Sequence, residues 1–245
     1  MSKLIILGID ALEIDLINNL NLVALKQKQY GDIKVPFSSI SGYPRSPSVW
    51  ATFLIGEEVE REFVSVEPSV NRFGELDQET FVEWDGVKAL NVPYHNHEID
   101  TLRKIVKLQR KRSNHRNNPD VQLDLLSKMI DAHSTRAEEI VAETIKVRDN
   151  PKHKVIFAYI QTLDTLQHYF ILRSEIIQHL YRVLDDLVSD LKKQLEDDVL
   201  IIVSDHGFKE GTHSYKGYYS CSHPLEEAPT NITDFYKIVK EFLCY

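Results

Sequence analysis

Cysteine is scarce in this chain, with only Cys221 and Cys244 among 245 residues. Two cysteines are too few for a disulfide framework, so both read as small apolar side chains, buried or terminal. A chain of this length can bury a sizeable core without disulfides or structural metals. Long hydrophobic runs are missing as well. No stretch approaches the roughly 20 apolar residues that cross a bilayer. The opening run Leu4–Ile9 ends at once in Asp10, without the longer apolar region and cleavage site of a signal peptide. Positive charge is not in excess. The formal net charge of −8 favours solubility and argues against stable nucleic-acid binding. No internal repeat and no low-complexity linker interrupts the chain. These absences lead us to expect a cytoplasmic protein, away from membranes and nucleic acid. They say nothing of oligomeric state.

What is present reads as one α/β domain. Short β-branched and apolar runs at Leu4–Ile9, Val87–Val92, Val155–Ile160 and Val199–Val203 have the character of buried parallel strands. Helical spacing lies between them, over Ala11–Lys28, Val121–Arg148 and Ser174–Leu195. Thr233 is placed to cap a last helix running to about Leu243. Strands alternating with helices predict a mostly parallel, doubly wound sheet with helices on both faces. The stretch Glu57–Asp85 is acidic and aromatic and fits less well. Residues 94–150 read as a small inserted cap. They begin with a basic run, Arg103 to Arg116, and Asn114–Pro119 reads as a loop. The basic run is either a solvated helix face or a surface that attracts anionic substrate.

In such sheets ligands bind outside the carboxyl ends of the strands. Asp10 ends the first strand. Asp164 follows the third, with His168 four residues on. Asp205 and His206 end the fourth, and His213 comes soon after. Each alone could be a helix cap or a polar turn. Together they deliver three acids and three imidazoles to one sheet edge. Mixed carboxylate and imidazole donors suit zinc, manganese or iron, and six ligands suit two sites. Ser46 precedes Pro47 at the predicted start of a helix, where free N–H groups and the dipole favour an anion. It reads as a cap or as a nucleophile, with Ser48 as its competitor. His223 competes with His213 as the last ligand.

The ordered set resembles the alkaline phosphatase superfamily, and within it the type I phosphodiesterase/nucleotide pyrophosphatase group, including its compact archaeal-type members. The resemblance rests on Ile-Leu-Gly-Ile-Asp10, on Ser46-Pro47-Ser48-Val49-Trp50-Ala51 running to Gly56, and on Asn91-Val92-Pro93-Tyr94. Asp164 with His168, Ser204-Asp205-His206-Gly207, and Gly211-Thr212-His213 complete it. It implies an alkaline phosphatase-like fold and two divalent metals, zinc above all, roughly 4 Å apart. Asp164, His168 and His213 would hold one metal. Asp10, Asp205, His206 and the Ser46 oxygen would hold the other. Ser46 would attack phosphorus and carry a phosphoserine intermediate. The implied substrate is a phosphate ester or nucleotide.

The departures bear on substrate. Serine stands where that group more often has threonine, and the chain is short. Arg45, Trp50 and Tyr94 are candidate substrate contacts, although Trp50 also reads as core and Arg45 as a loop residue. His95 is a further candidate at the substrate mouth. His97, His115, His133 and His153 read as surface residues. A sulfatase is disfavoured because Ser46 is not followed by that family's Pro and Arg spacing. A phosphoglycerate mutase needs a larger inserted domain. A phosphomonoesterase on the same site, or a metal- or nucleotide-binding protein without chemistry, are the remaining alternatives.

Overall fold

The structure is a computed structural model, and it describes residues 2–62 and 73–244. The four expected strands form, as β1 (Leu4–Ile9), β3 (Val87–Leu90), β4 (Val155–Ile160) and β5 (Val199–Ser204). β1 and β4 are buried along their whole length, which is why they read as unbroken apolar runs. Two further strands join them: β2 (Gln29–Ile33) and β8 (Gly217–Cys221). The order across the sheet is β2-β8-β5-β1-β4-β3. β8 runs antiparallel to both neighbours and is the one reversed strand of this sheet. The remaining pairs are parallel. A small two-stranded ribbon, β6 (Phe208–Lys209) with β7 (Thr212–His213), follows β5.

Register decides where the chemistry falls. Ile9 is level with Ile160, and Gly8 with Val203. Three parallel strands therefore end together, and Asp10, Gln161 and Asp205 emerge side by side.

Helices cover both faces. On one lie α1 (Ile14–Asn19), α2 (Val23–Lys26), α5 (Pro119–Arg148), α6 (Thr162–Tyr169) and α7 (Ser174–Leu195), packed on Ile5, Leu7, Ile156 and Ile202. On the other lie α3 (Ser46–Ile55) and α8 (Asp234–Cys244), packed on Leu4, Ile6, Phe157 and Val203. Gly8 opens the second face. A Cβ there would lie 2.9 Å from Phe157 and 3.0 Å from Trp50, so only glycine lets the indole lie on β1.

Three expectations change. Ala11–Lys28 is two short helices, not one, because Asn21 and Gln27 turn the chain through positive φ. Residues 94–150 make the helical crossover from β3 to β4, through α4 (Asp100–Asn114) and α5. Met129, Ile140 and Val141 of α5 join the core, so this segment is a layer on the sheet and no separate lid. His133 and His97 are buried rather than on the surface. The Glu57–Asp85 stretch contains the 3₁₀ turn Phe81–Glu83, and its residues 63–72 lie outside the described residues. No helix among the described residues is long and apolar enough to cross a membrane.

Candidate active site

The chain leaves β1 at Asp10 and turns at once, with Ala11 at φ 64°. That left-handed backbone is strained for alanine, and its polar groups are held from several sides. Its N–H donates to Asp205 Oδ1 at 3.3 Å, and its carbonyl accepts from Gln167 Nε2 at 2.9 Å and Tyr181 Oη at 3.1 Å. Asp10 and Asp205 are 1% and 0% exposed. After His206 the chain doubles back through the β6–β7 ribbon. Gly207 permits this, since a Cβ there would run into the Glu13 and Ser214 side chains. The ribbon returns His213 to lie over His206, with ring centroids 3.8 Å apart and planes 13° from parallel.

Two groups of donors meet here. His206 Nε2 lies 3.2 Å from Asp205 Oδ2 and 3.5 Å from Asp10 Oδ1. Ser46 Oγ lies 3.2 Å from His206 Nε2 and 3.4 Å from Asp10 Oδ1. In the second group, Asp164 Oδ1 lies 3.3 Å from His168 Nε2 and 3.7 Å from His213 Nε2, and the two imidazole nitrogens are 3.1 Å apart. The groups abut: ligand atoms of Asp164, His206 and His213 all fall within 4.8 Å of one another, as do those of Asp10, Asp205 and His206. His206 and His213 are fixed by carbonyls behind them. Their Nδ1 atoms face Gly207 O at 3.1 Å and Pro44 O at 2.9 Å, which leaves each Nε2 lone pair turned inward.

The electrostatics fit a cation. Burial first, then Asp205 and Asp164, push the Asp10 carboxyl well above its ordinary range. Burial likewise pushes Asp205 up to about 7. Asp164 Oδ1 and Asp205 Oδ2 are buried, and each faces an imidazole nitrogen, His168 Nε2 at 3.3 Å and His206 Nε2 at 3.2 Å. No lysine or arginine neutralises these three acids among the described ion pairs; imidazoles take that place. Burial depresses His213 to about 4, while the hydrogen bond to Asp164 raises His168. Desolvated acids beside inward lone pairs are what two divalent metals would satisfy, and the donor set suits zinc, manganese or iron.

Other candidates fall as follows. Ser46 opens α3, and Ser48 is turned away, its Oγ holding both N–H and C=O of Arg61 at 2.9 and 3.0 Å. His223 sits past the far end of β8, beside Ser222, which pairs with Leu200 at the start of β5. It is at the opposite end of the sheet from Asp205. Trp50 has no exposed surface and packs edge-on against Phe53 and Tyr159, so it supports the site's floor and cannot stack on a ligand. Tyr94 spends its hydroxyl on Pro47 O at 2.8 Å, bracing α3. His95 lies beside it, along a separate hollow with Pro93 and Leu54. Arg45 lies at the mouth but is paired with Glu62 at 2.7 Å. The basic run of α4 is partly engaged too, with Arg103 on Asp100 and Arg112 over the Phe170 ring.

Sequence reasoning missed Tyr159. Its hydroxyl donates to Asp10 Oδ2 at 2.5 Å. It sits within a buried strand, where a tyrosine reads as core. The signal was its phenol, which needs a partner when buried. His133 was also missed; its Nδ1 meets Thr162 Oγ1 at the start of α6, the helix carrying Asp164 and His168.

With this geometry in hand, comparison with known proteins is informative. Alkaline phosphatase from the Antarctic bacterium TAB5 superposes with a TM-score of 0.59 at 12% identity, covering 99% of this chain and 98% of that one. Murine ectonucleotide pyrophosphatase/phosphodiesterase 5 gives 0.53 at 13%, covering 84% of this chain and 57% of that one. Phosphonoacetate hydrolase from Sinorhizobium meliloti gives 0.50 at 13%, with 84% and 56% covered. These likenesses establish an alkaline phosphatase-like fold. This chain spans little more than half the length of the latter two. No curated protein matches it by sequence. Residues 76–231 match the family described as type I phosphodiesterase/nucleotide pyrophosphatase, which is well over half of the chain, and the protein therefore belongs to that family.

Proposed function

We propose that this protein is a two-metal hydrolase that cleaves phosphodiesters or nucleotide pyrophosphates through a phosphoserine at Ser46. Family membership supports a phosphoester hydrolase. The observation that carries the finer reading is the place of Ser46 Oγ, at the N-terminus of α3, 3.2 Å from His206 Nε2 and 3.4 Å from Asp10 Oδ1. Asp10, Asp205, His206 and Ser46 would hold one metal, and Asp164, His168 and His213 the other. When bound, the two ions supply positive charge that lowers the Ser46 pKa and neutralises the attacking and leaving oxygens. Zinc is the metal the donors favour.

The chain's own residues do the rest. Ser46 Oγ attacks phosphorus in line, the Ser–O–P bond forms, and the bond to the departing ester oxygen breaks. Water then cleaves the Ser–O–P bond and restores the hydroxyl. The α3 N-terminus favours the phosphoryl oxygens. Asp164 and His168, on the more open side, face the entering water. Tyr159 and the carbonyls of Gly207 and Pro44 keep Asp10, His206 and His213 aimed. A small-molecule phosphate ester or nucleotide is the partner, and the cytoplasm is the expected compartment. The murine relative's complex with AMP supports a nucleotide-like ligand by analogy of family.

The test is hydrolysis of bis(4-nitrophenyl) phosphate with zinc or manganese. Ser46→Ala is expected to abolish it while the metal-induced rise in Tm persists. Full activity in the variant, or none in the wild type with any of these metals, overturns the reading. A phosphomonoesterase is distinguished by the same assay on 4-nitrophenyl phosphate.

A further inference from the structure

Asp164 and His168 reach the site differently from Asp10, Asp205 and His206. Those three follow directly from β1 and β5, which the ladder of the sheet holds side by side. Asp164 and His168 stand on α6, an eight-residue helix off the sheet, whose N-cap Gln161 makes no side-chain capping bond. A helix this short and uncapped takes its place from the contacts around it. Leu163 and Leu166 pack it on the core. Towards β1 it is tied by Gln167, which donates to Ala11 O at 2.9 Å and accepts from Tyr181 Oη at 3.4 Å. At its head, Thr162 Oγ1 meets His133 Nδ1. At about 100° per residue, Asp164 and His168 lie about 200° and 240° round the helix from Thr162, so this bond sits behind the two ligands.

His133 keeps apolar company. It lies midway along α5 with no exposed surface, on the buried face that carries Leu125, Met129, Ala132, Ala137 and Ile140. Burial lowers its pKa to about 4, so the ring is neutral at ordinary pH. Its Nε2 is buried with no hydrogen-bond partner. A neutral imidazole has two polar atoms, and burying one of them unpaired costs stability. A leucine of similar volume would fill the place without that cost. What the histidine adds is the bond to Thr162.

We propose that His133 is a positioning residue for one of the two metals: through Thr162 it sets the seat of α6 and so aims Asp164 and His168 at the ion they share with His213. This rests on the reading of those three residues as one metal's ligands. The other ligand set stands on strand ends and does not depend on it.

The experiment is a calorimetric titration with zinc, beside melting curves in chelator. Wild type is expected to bind two ions. His133→Leu is expected to weaken one binding step by about 10- to 100-fold, as loss of a partner behind a metal ligand does, and to leave the other within about twofold. In chelator it is expected to melt no lower than wild type, because an unpaired polar atom has left the core. His133→Asn keeps a polar atom where Nδ1 stood and leaves a gap beyond it. It is expected to melt lower and to keep both affinities near those of wild type. Thr162→Val removes the other half of the bond. It is expected to weaken the same step as His133→Leu, with little further loss when the two are combined. If His133→Leu does not fold, Thr162→Val decides alone. Unchanged affinities, equal weakening of both steps, or affinities that follow Tm across the variants would each overturn the proposal and leave the two-metal reading standing. Wild type binding fewer than two ions overturns both.

Discussion

The two ends of the sheet carry the same kinds of charged group and treat them in opposite ways. At the base, Asp198 precedes β5 and Lys3 precedes β1. Asp198 accepts from Arg148 Nε and from Lys3 N–H, both at 2.7 Å, and Lys3 Nζ reaches the carbonyls of Arg148 and Asn150. Lys3, Arg148 and Asp198 thus each have a partner of opposite sign or a carbonyl. At the other end, three aspartates converge with imidazoles and hydroxyls before them, and no lysine or arginine is paired with them among the described residues. Buried acids with no cation paired to them cost stability, and a bound cation would offset that cost. The base closes the fold. The opposite end holds charge open for something else.

That contrast can be broken most severely at Asp205. Asp205→Asn is expected to reduce metal-dependent hydrolysis by at least about a thousandfold, the scale of losing a main electrostatic contact to the reacting centre. The same change is expected to stabilise the metal-free protein. Burial lifts Asp205 to about 7 from its ordinary 3.8, so the folded chain keeps this proton between about pH 4 and 7 after the unfolded chain has released it. Wild type therefore loses this contribution as pH rises through that window. Melting curves in chelator should show the variant above wild type at pH 8, with the gap closing towards pH 4. A variant that melts lower across the whole range would mean the acids are satisfied without metal.

A milder change tests the aim of Asp10. Tyr159→Phe removes one hydroxyl and leaves the ring in the core. It is expected to weaken zinc or manganese binding by about 10- to 100-fold, as loss of a partner behind a metal ligand does. Titration calorimetry reads this directly, without relying on turnover. Unchanged affinity would reduce Tyr159 to packing. At the base, Arg148→Ala is expected to lower stability by about 1–2 kcal/mol, the scale of a charged hydrogen bond at a part-exposed site. Activity per folded molecule should not change. A loss of kcat in that variant would blur the division between the two ends.

Much of this was legible in the chain because buried parallel strands leave a plain mark. Leu4–Ile9, Val155–Ile160 and Val199–Val203 are unbroken apolar runs, and each is followed within a few residues by an acid. What could not be read depended on pairing between distant segments. Gln-Tyr-Gly-Asp-Ile at 29–33 has too little β-branched content to announce a strand, and it forms by pairing with Gly217–Cys221 nearly 190 residues later. The reversal of β8 likewise leaves no local mark. The helical spacing of Val121–Arg148 was visible, but not that its apolar face lies on the sheet. Trp50 and Tyr159 show the same limit within the site. Both are aromatic residues near the converging acids; one supports the floor, and the other holds the Asp10 carboxylate, and only the packing tells which.

The reversed strand has a practical consequence. It returns the chain to the base of the sheet, and α8 ends there, with Leu243 O accepting from Lys154 Nζ beside the start of β4. Cys244, at the end of α8, is exposed, whereas Cys221 is buried within β8 and burial raises its thiol pKa. A maleimide reagent therefore meets one thiol in the folded protein, about 20 Å of strand away from the aspartates. Dyes, spin labels or a solid support can be attached there with the aspartate end of the sheet facing free solution.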